Sequence, residues 1–122
     1  MDMNNNLDEL PIIDWERFSQ LCQDMGEEKG SETINMMLED YFSDAARLLS
    51  DCRKGFGEAD TRLYQRSAHT LKSTSAMFGA KRLSALCKAM EERGKNGVLD
   101  GAAEHIAQAE IEFEKAKTSL SA

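Results

Sequence analysis

Pro11 is the only proline in the chain, so residues 12 to 122 carry nothing that forbids uninterrupted helix. Over that stretch apolar side chains recur at intervals of three and four, the spacing that lines one face of a helix. Ile34, Leu38, Tyr41, Phe42, Ala45, Leu48, Leu49 and Cys52 form the longest such stripe, which runs until the glycines at 55 and 57. Leu63, Ser67, Leu71, Ser75 and Phe78 mark a second inner face, and Leu83, Leu86, Cys87 and Met90 a third. A fourth follows Leu99, Ala102, Ala103, Ile106, Ala109, Phe113, Ala116 and Leu120. No alternating pattern of the kind a strand needs is visible.

Start and stop signals divide these stripes into helices. Asp14, Ser31 and Asp60 are placed to cap helix starts, and Gly26, Gly79, Gly94 and Gly97 to end helices. Asp14 opens a short helix with Trp15, Phe18, Leu21, Cys22 and Met25 on its inner side, too short to stand alone and suited to covering one end of the molecule. Four long helices on short turns must lie beside their sequence neighbours. The expected fold is therefore all-α: an antiparallel up-down-up-down four-helix bundle with a short extra N-terminal helix. It forms one domain over residues 11–122, after a polar and flexible start at 1–10. The chain length of 122 residues suffices for such a core without disulfides.

Charge is unevenly spread. Residues 61–90 contain no Asp or Glu but hold Arg62, Arg66, Lys72, Lys81, Arg82 and Lys88, leaving −13 on the other 92 residues of a chain whose net charge is −7. A basic island on an acidic protein suits an acidic protein surface or a phosphate, and argues against nucleic acid as a partner. The N-terminus has no basic region followed by an apolar run, and no apolar stretch is long enough to cross a membrane, so a cytoplasmic protein is expected. Cys22, Cys52 and Cys87 lie on apolar stripes, far apart and odd in number, which reads as core thiols in a reducing compartment.

His69 is the residue that carries chemistry. On a helix it points away from Leu71 and Phe78, and it shares its face with Gln65, Arg66, Lys72 and Ser73. The other histidine, His105, has no such surround and is assigned to the surface. No His-x-x-x-His, Glu-x-x-His or Cys-x-x-Cys spacing occurs, so no metal site is expected on His69. With no carboxylate in 61–90, a hydrolase-type triad has no local orienting group, and Gly-rich nucleotide loops are absent as well. What remains is an imidazole attacking a phosphoryl group that is already activated. An ordinary histidine is mostly neutral at pH 7 and needs no base for this.

At these residues the chain resembles the histidine-containing phosphotransfer (HPt) family of phosphorelay proteins. The matching run is Arg66-Ser67-Ala68-His69-Thr70-Leu71-Lys72, followed by Ser75, Gly79-Ala80, Leu83, Leu86-Cys87, Met90-Glu91 and Gly94. The resemblance implies a helical bundle whose His69 takes a phosphoryl group from the aspartate of one receiver domain and gives it to the aspartate of another. Receivers then supply Mg²⁺ and the catalytic groups, and the chain itself is a carrier with no cofactor and no kinase activity. Partners implied are response-regulator receivers or a hybrid sensor kinase. Lys72, Arg66, Ser73 and Gln65 stand nearest the histidine, with Lys72 and Arg66 offsetting phosphoryl charge. Arg62 and Met77 extend the receiver-docking surface. Where the family usually has glycine one turn after the histidine, this chain has Ser73, whose hydroxyl could reach the phosphoryl oxygens.

Three other readings fit less well. A sensor-kinase dimerisation domain would have an acidic residue after its histidine and a proline nearby, but Thr70 follows His69 and no proline follows Pro11. A bundle that binds receivers without transferring phosphate is the alternative that Ser73 leaves open. An enzyme making phosphohistidine from ATP lacks a nucleotide site. The apolar stripes are used up by one bundle, so a monomer is expected, and the initial Met and polar tail favour a free-standing protein.

Overall fold

The computed structural model describes residues 7–122. Its helices are α1 (Trp15–Asp24), α2 (Glu32–Gly57), α3 (Thr61–Met77), α4 (Lys81–Lys95) and α5 (Ala102–Ser121), and there is no strand among the described residues. α3 packs on α2 and on α4, while α5 packs on the same two from the other side. The four helices thus close in the ring order of an up-down-up-down bundle. α1 lies across α3.

All three expected caps form. The Asp14, Ser31 and Asp60 side chains accept from the backbone N–H groups of Arg17, Ile34 and Leu63, each satisfying a donor that the first helical turn leaves unpaired. The core runs from Phe18 and Leu21 through Ile34, Leu38, Tyr41 and Leu71 to Leu86, Met90, Ile106 and Phe113. Cys22, Cys52 and Cys87 are buried free thiols within it, and burial pushes the Cys52 thiol up to about 12. Tyr41 stacks on Phe78 at 4.7 Å between centroids, and its hydroxyl shares a 2.8 Å hydrogen bond with the buried Ser75.

Several local expectations are corrected. Gly55 and Gly94 do not stop their helices; they sit inside α2 and α4, where close approach to α3 requires them. A Cβ on Gly55 would lie 2.8 Å from the Tyr64 backbone nitrogen, and one on Gly94 would lie 2.9 Å from the Tyr64 ring and 3.2 Å from the Gln65 Cα. Tyr64, rather than Leu63, leads the inner face of α3, and Leu63 is only half-buried. Trp15 is 42% exposed and Met25 also faces solvent. Lys29 Nζ lies 4.3 Å from the Trp15 ring centroid, a favourable cation–π placement.

Glu112, one of several acidic residues along α5, is 3% exposed. It accepts from Gln108 Nε2 and lies near Arg82 and Lys115. Glu110 on the same helix pairs with Arg53 of α2 through two hydrogen bonds. His105 is half-buried rather than on the surface. Residues 1–6 of the start expected to be flexible lie outside the described residues. Beyond them Leu7 is buried, and Arg82 donates to the carbonyls of Leu10 and Asp8, which fastens this segment to the body.

Candidate functional site

α4 holds α3 at two levels, near its first turn and again at its fourth. Gly94 lets α4 approach Tyr64 and Gln65, and Ser84 Oγ donates to the Lys72 carbonyl at 3.0 Å. This clamp fixes the rotation of α3, and with it the direction of His69. The imidazole points outward as the helical spacing requires, with 57% of its side chain exposed.

The polar surround expected from the sequence is present, but its organising group is one the sequence reading did not assign. Glu91, on the facing side of α4, places Oε2 2.5 Å from His69 Nδ1 and Oε1 2.6 Å from Lys72 Nζ. A single carboxylate therefore spans the histidine and the lysine. Burial pulls the Glu91 carboxyl up, but the bonds from Lys72 and His69 outweigh it and hold the group below the usual carboxylate range. Because Glu91 is then ionised near neutrality, a hydrogen bond at Nδ1 requires Nδ1 to carry the proton. The free lone pair is consequently on Nε2, in a side chain that is more than half exposed.

The orienting carboxylate missing from residues 61–90 is thus supplied by the next residue along. The only signal for it in the sequence was the Met90-Glu91 pair within the family-like run, since nothing local links residue 91 to residue 69. Lys72 correspondingly is not a free cation beside the ring. It is 29% exposed and bonded to Glu91, whereas Arg66 is exposed and lines, with Gln65, Thr70 and Glu91, a shallow depression around His69. Ser73 is exposed, and its hydroxyl donates to the His69 carbonyl at 3.2 Å, back along the helix and not toward the ring. Arg62 and Met77 are exposed near the two ends of α3. Among the described residues no group of three or more His, Cys, Asp or Glu could hold a metal ion, and no helix is long and apolar enough to cross a membrane.

Glu91→Gln keeps the shape of the bridge and removes its charge. We expect it to weaken the hold on Nδ1 by roughly 1.5–3 kcal/mol, the contribution of a hydrogen bond to a charged group, and so to release the ring into a mixture of tautomers. ¹⁵N chemical shifts of the ring check for the mixed tautomer; an unchanged tautomer would remove Glu91 from the site. A pH signature follows as well. A carboxyl whose folded pKa lies below its ordinary 4.5 stabilises the protein above that pH, and the contribution is lost as pH falls through the folded value. The stability gap between wild type and Glu91→Gln, read by thermal melts, should be present at pH 7 and close in acid below pH 4.5.

Comparison with known proteins identifies the family. The Hpt domain family model matches residues 36–119. The chain is similar to histidine-containing phosphotransfer protein 2 of Arabidopsis thaliana, 26% identical over 108 residues that span 86% of this chain and 69% of the relative. Its fold is similar to the crystal structure of histidine-containing phosphotransfer protein B (HptB) from Pseudomonas aeruginosa PAO1. The TM-score is 0.83 at 24% identity, over 91% of this chain and 92% of that one. With the match extending through α3, α4 and nearly all of α5, this protein belongs to the Hpt domain family, the phosphotransfer proteins of phosphorelay signalling.

Proposed function

We propose that His69 is the phosphoryl-carrying residue, charged by the aspartyl phosphate of one receiver domain and discharged to the aspartate of another. The observation that carries this reading is the Glu91 bond to Nδ1, which leaves an exposed Nε2 lone pair as nucleophile. In the forward step Nε2 attacks phosphorus, the bond from phosphorus to the aspartyl oxygen breaks, and the aspartate leaves as a carboxylate. The ring keeps its Nδ1 proton and becomes positively charged, and Glu91 offsets that charge at 2.5 Å. The reverse step runs through the same bond, so a carrier of this kind can load and unload with one geometry. Receivers provide Mg²⁺ and the groups that polarise the phosphoryl, and this chain provides the oriented imidazole.

Division of labour among the neighbours follows from their bonds. Lys72 holds and partly neutralises Glu91, and Arg66 is the cation free to meet phosphoryl oxygens from the open side of the depression. At such exposure each contact contributes only about 0–1 kcal/mol, which suits a group that must move on. Gln65, Ser73, Arg62 and Met77 form the surface a receiver meets, Met77 adapting its shape to different partners. Because the Ser73 hydroxyl is turned to the backbone, Ser73→Gly should leave transfer unchanged or faster. A marked slowing in single-turnover transfer would assign the hydroxyl a part in the reaction.

The test is to incubate the protein with receivers phosphorylated by a small-molecule donor and to read intact mass, then acid lability and base stability of the label. A phosphoryl group on His69 supports the reading. Stable binding of several receivers with no label would replace it by a receiver-binding module that does not transfer.

A further inference from the structure

A histidine with a carboxylate on one ring nitrogen and the other nitrogen free beside open space is also the oriented imidazole of acyl-transfer chemistry. Residues 61–90 alone lack the carboxylate that such chemistry needs, and Glu91 supplies it at Nδ1. The arrangement departs from a hydrolase triad in one respect. The Ser73 hydroxyl, one turn along the helix, donates to the His69 carbonyl at 3.2 Å, so the ring has no serine to activate there and is itself the attacking group. The depression beside it, of about 400 Å³ and open to solvent, is large enough for one small molecule. Its walls carry the Arg66 guanidinium, the Gln65 amide and the Thr70 hydroxyl. None of these three side-chain groups has a hydrogen-bond or ion-pair partner among the described residues. They are donors left over around a nucleophile, where charge on a carbonyl oxygen would develop.

We propose that His69 also takes acyl groups, so that the chain cleaves small esters with a good leaving group, aryl esters in particular, through an acyl-imidazole at Nε2. Nε2 attacks the carbonyl carbon, and the charge gathering on the carbonyl oxygen is met by the donors of Arg66, Gln65 and Thr70. The bond from carbon to the aryl oxygen breaks, and the aryloxide leaves with its electron pair. The ring keeps its Nδ1 proton toward Glu91, which offsets the charge of the acylated imidazolium. Water then adds to the acyl carbon, the carbon–nitrogen bond breaks with its electron pair returning to Nε2, and the carboxylic acid loses its proton to solvent. Ester and water are the only reactants. The activity shares the His69–Glu91 geometry with phosphoryl carriage but involves no receiver, so each can fail without the other.

The test mixes the protein with excess p-nitrophenyl acetate at neutral pH, with no receiver, and follows p-nitrophenolate by absorbance over many turnovers. Wild type should act about 10-fold faster than free imidazole at the same concentration, short of the roughly 10²–10³-fold that one oxyanion donor contributes in a closed site, because these donors stand in solvent. His69→Gln, which retains His105 and every lysine and thiol, should fall to the background rate. Glu91→Gln should bring the rate down toward that of free imidazole as the ring tautomers mix. Protein labelled on His69 by phosphoramidate should be inert to the ester until the label is removed. A wild-type rate in His69→Gln, a wild type no faster than free imidazole, full activity in the phosphorylated protein, or a Glu91→Gln variant at the wild-type rate each overturns the proposal. Ester cleavage that His69→Gln abolishes, in a protein that no phosphoryl donor labels, leaves the acyl activity standing and removes the phosphotransfer reading.

Discussion

His69→Gln is expected to abolish phosphoryl acceptance and to leave the bundle folded. Wild type mixed with a phosphorylated receiver should gain one acid-labile, base-stable phosphoryl group, and the variant should stay at its unmodified mass at every time point. Glutamine is close to histidine in reach, so its amide can still approach Glu91, but an amide nitrogen's lone pair is delocalised into its carbonyl and does not attack phosphorus. The ring is 57% exposed and contributes nothing to the apolar core, so the melting transition should move by no more than the equivalent of ~1 kcal/mol. Label retained on the variant would move the carrier to another residue. A loss of helicity comparable to that of a core substitution would mean that the ring supports the bundle.

Gly79→Ala is expected to give the largest loss of stability for a change of one methyl group. Gly79 joins α3 to α4 at φ +81°, a left-handed conformation that costs an L-residue roughly 1–2 kcal/mol. The new Cβ would also stand 2.5 Å from the Asp14 carbonyl oxygen. Relief requires the first turn of α1 to withdraw from the end of α3. That breaks the 2.7 Å bond from the Asp14 N–H to the Gly79 carbonyl, worth about 1 kcal/mol net, and loosens Phe18 in the core beneath. We expect a total of ~3–4 kcal/mol, a large share of the ~5–15 kcal/mol that holds a domain together. Gly97→Ala is the control. Its φ is +72° but a Cβ there meets nothing within 4 Å, so only the conformational cost of ~1–2 kcal/mol remains. Equal losses in urea unfolding of the two variants would show that α1 yields freely at its contact with α3.

The features that could be read from the chain are those set within one or two helical turns. Asp14, Ser31 and Asp60 cap their helices because the bond from each side chain reaches only three residues ahead. The outward direction of His69, with Gln65, Arg66, Lys72 and Ser73 around it, follows from helical pitch alone. Features that depend on a second helix were not legible. Gly55 and Gly94 look like helix ends in sequence because glycine ends helices more often than it packs them, and only the proximity of Tyr64 shows their use. Glu112 carries the same acidic pattern as its exposed neighbours and is buried because α5 turns that side toward Arg82 and the core. Trp15 lies on a good apolar stripe, yet α1 buries only the Phe18, Leu21 and Cys22 side of it.

Sequence by itself determined the helices, their polar and apolar faces, the basic island and the histidine that stands in it, because each of these is fixed by residues close together along the chain. The partner of that histidine was decided by tertiary structure. Glu91 is 22 positions from His69, and it meets Nδ1 only because α4 packs on α3 at the separation Gly94 permits and the register that Ser84 and Lys72 hold. Which ring nitrogen is left with a free lone pair is therefore a property of how two helices cross, and helix crossing depends on packing through space that no local pattern encodes.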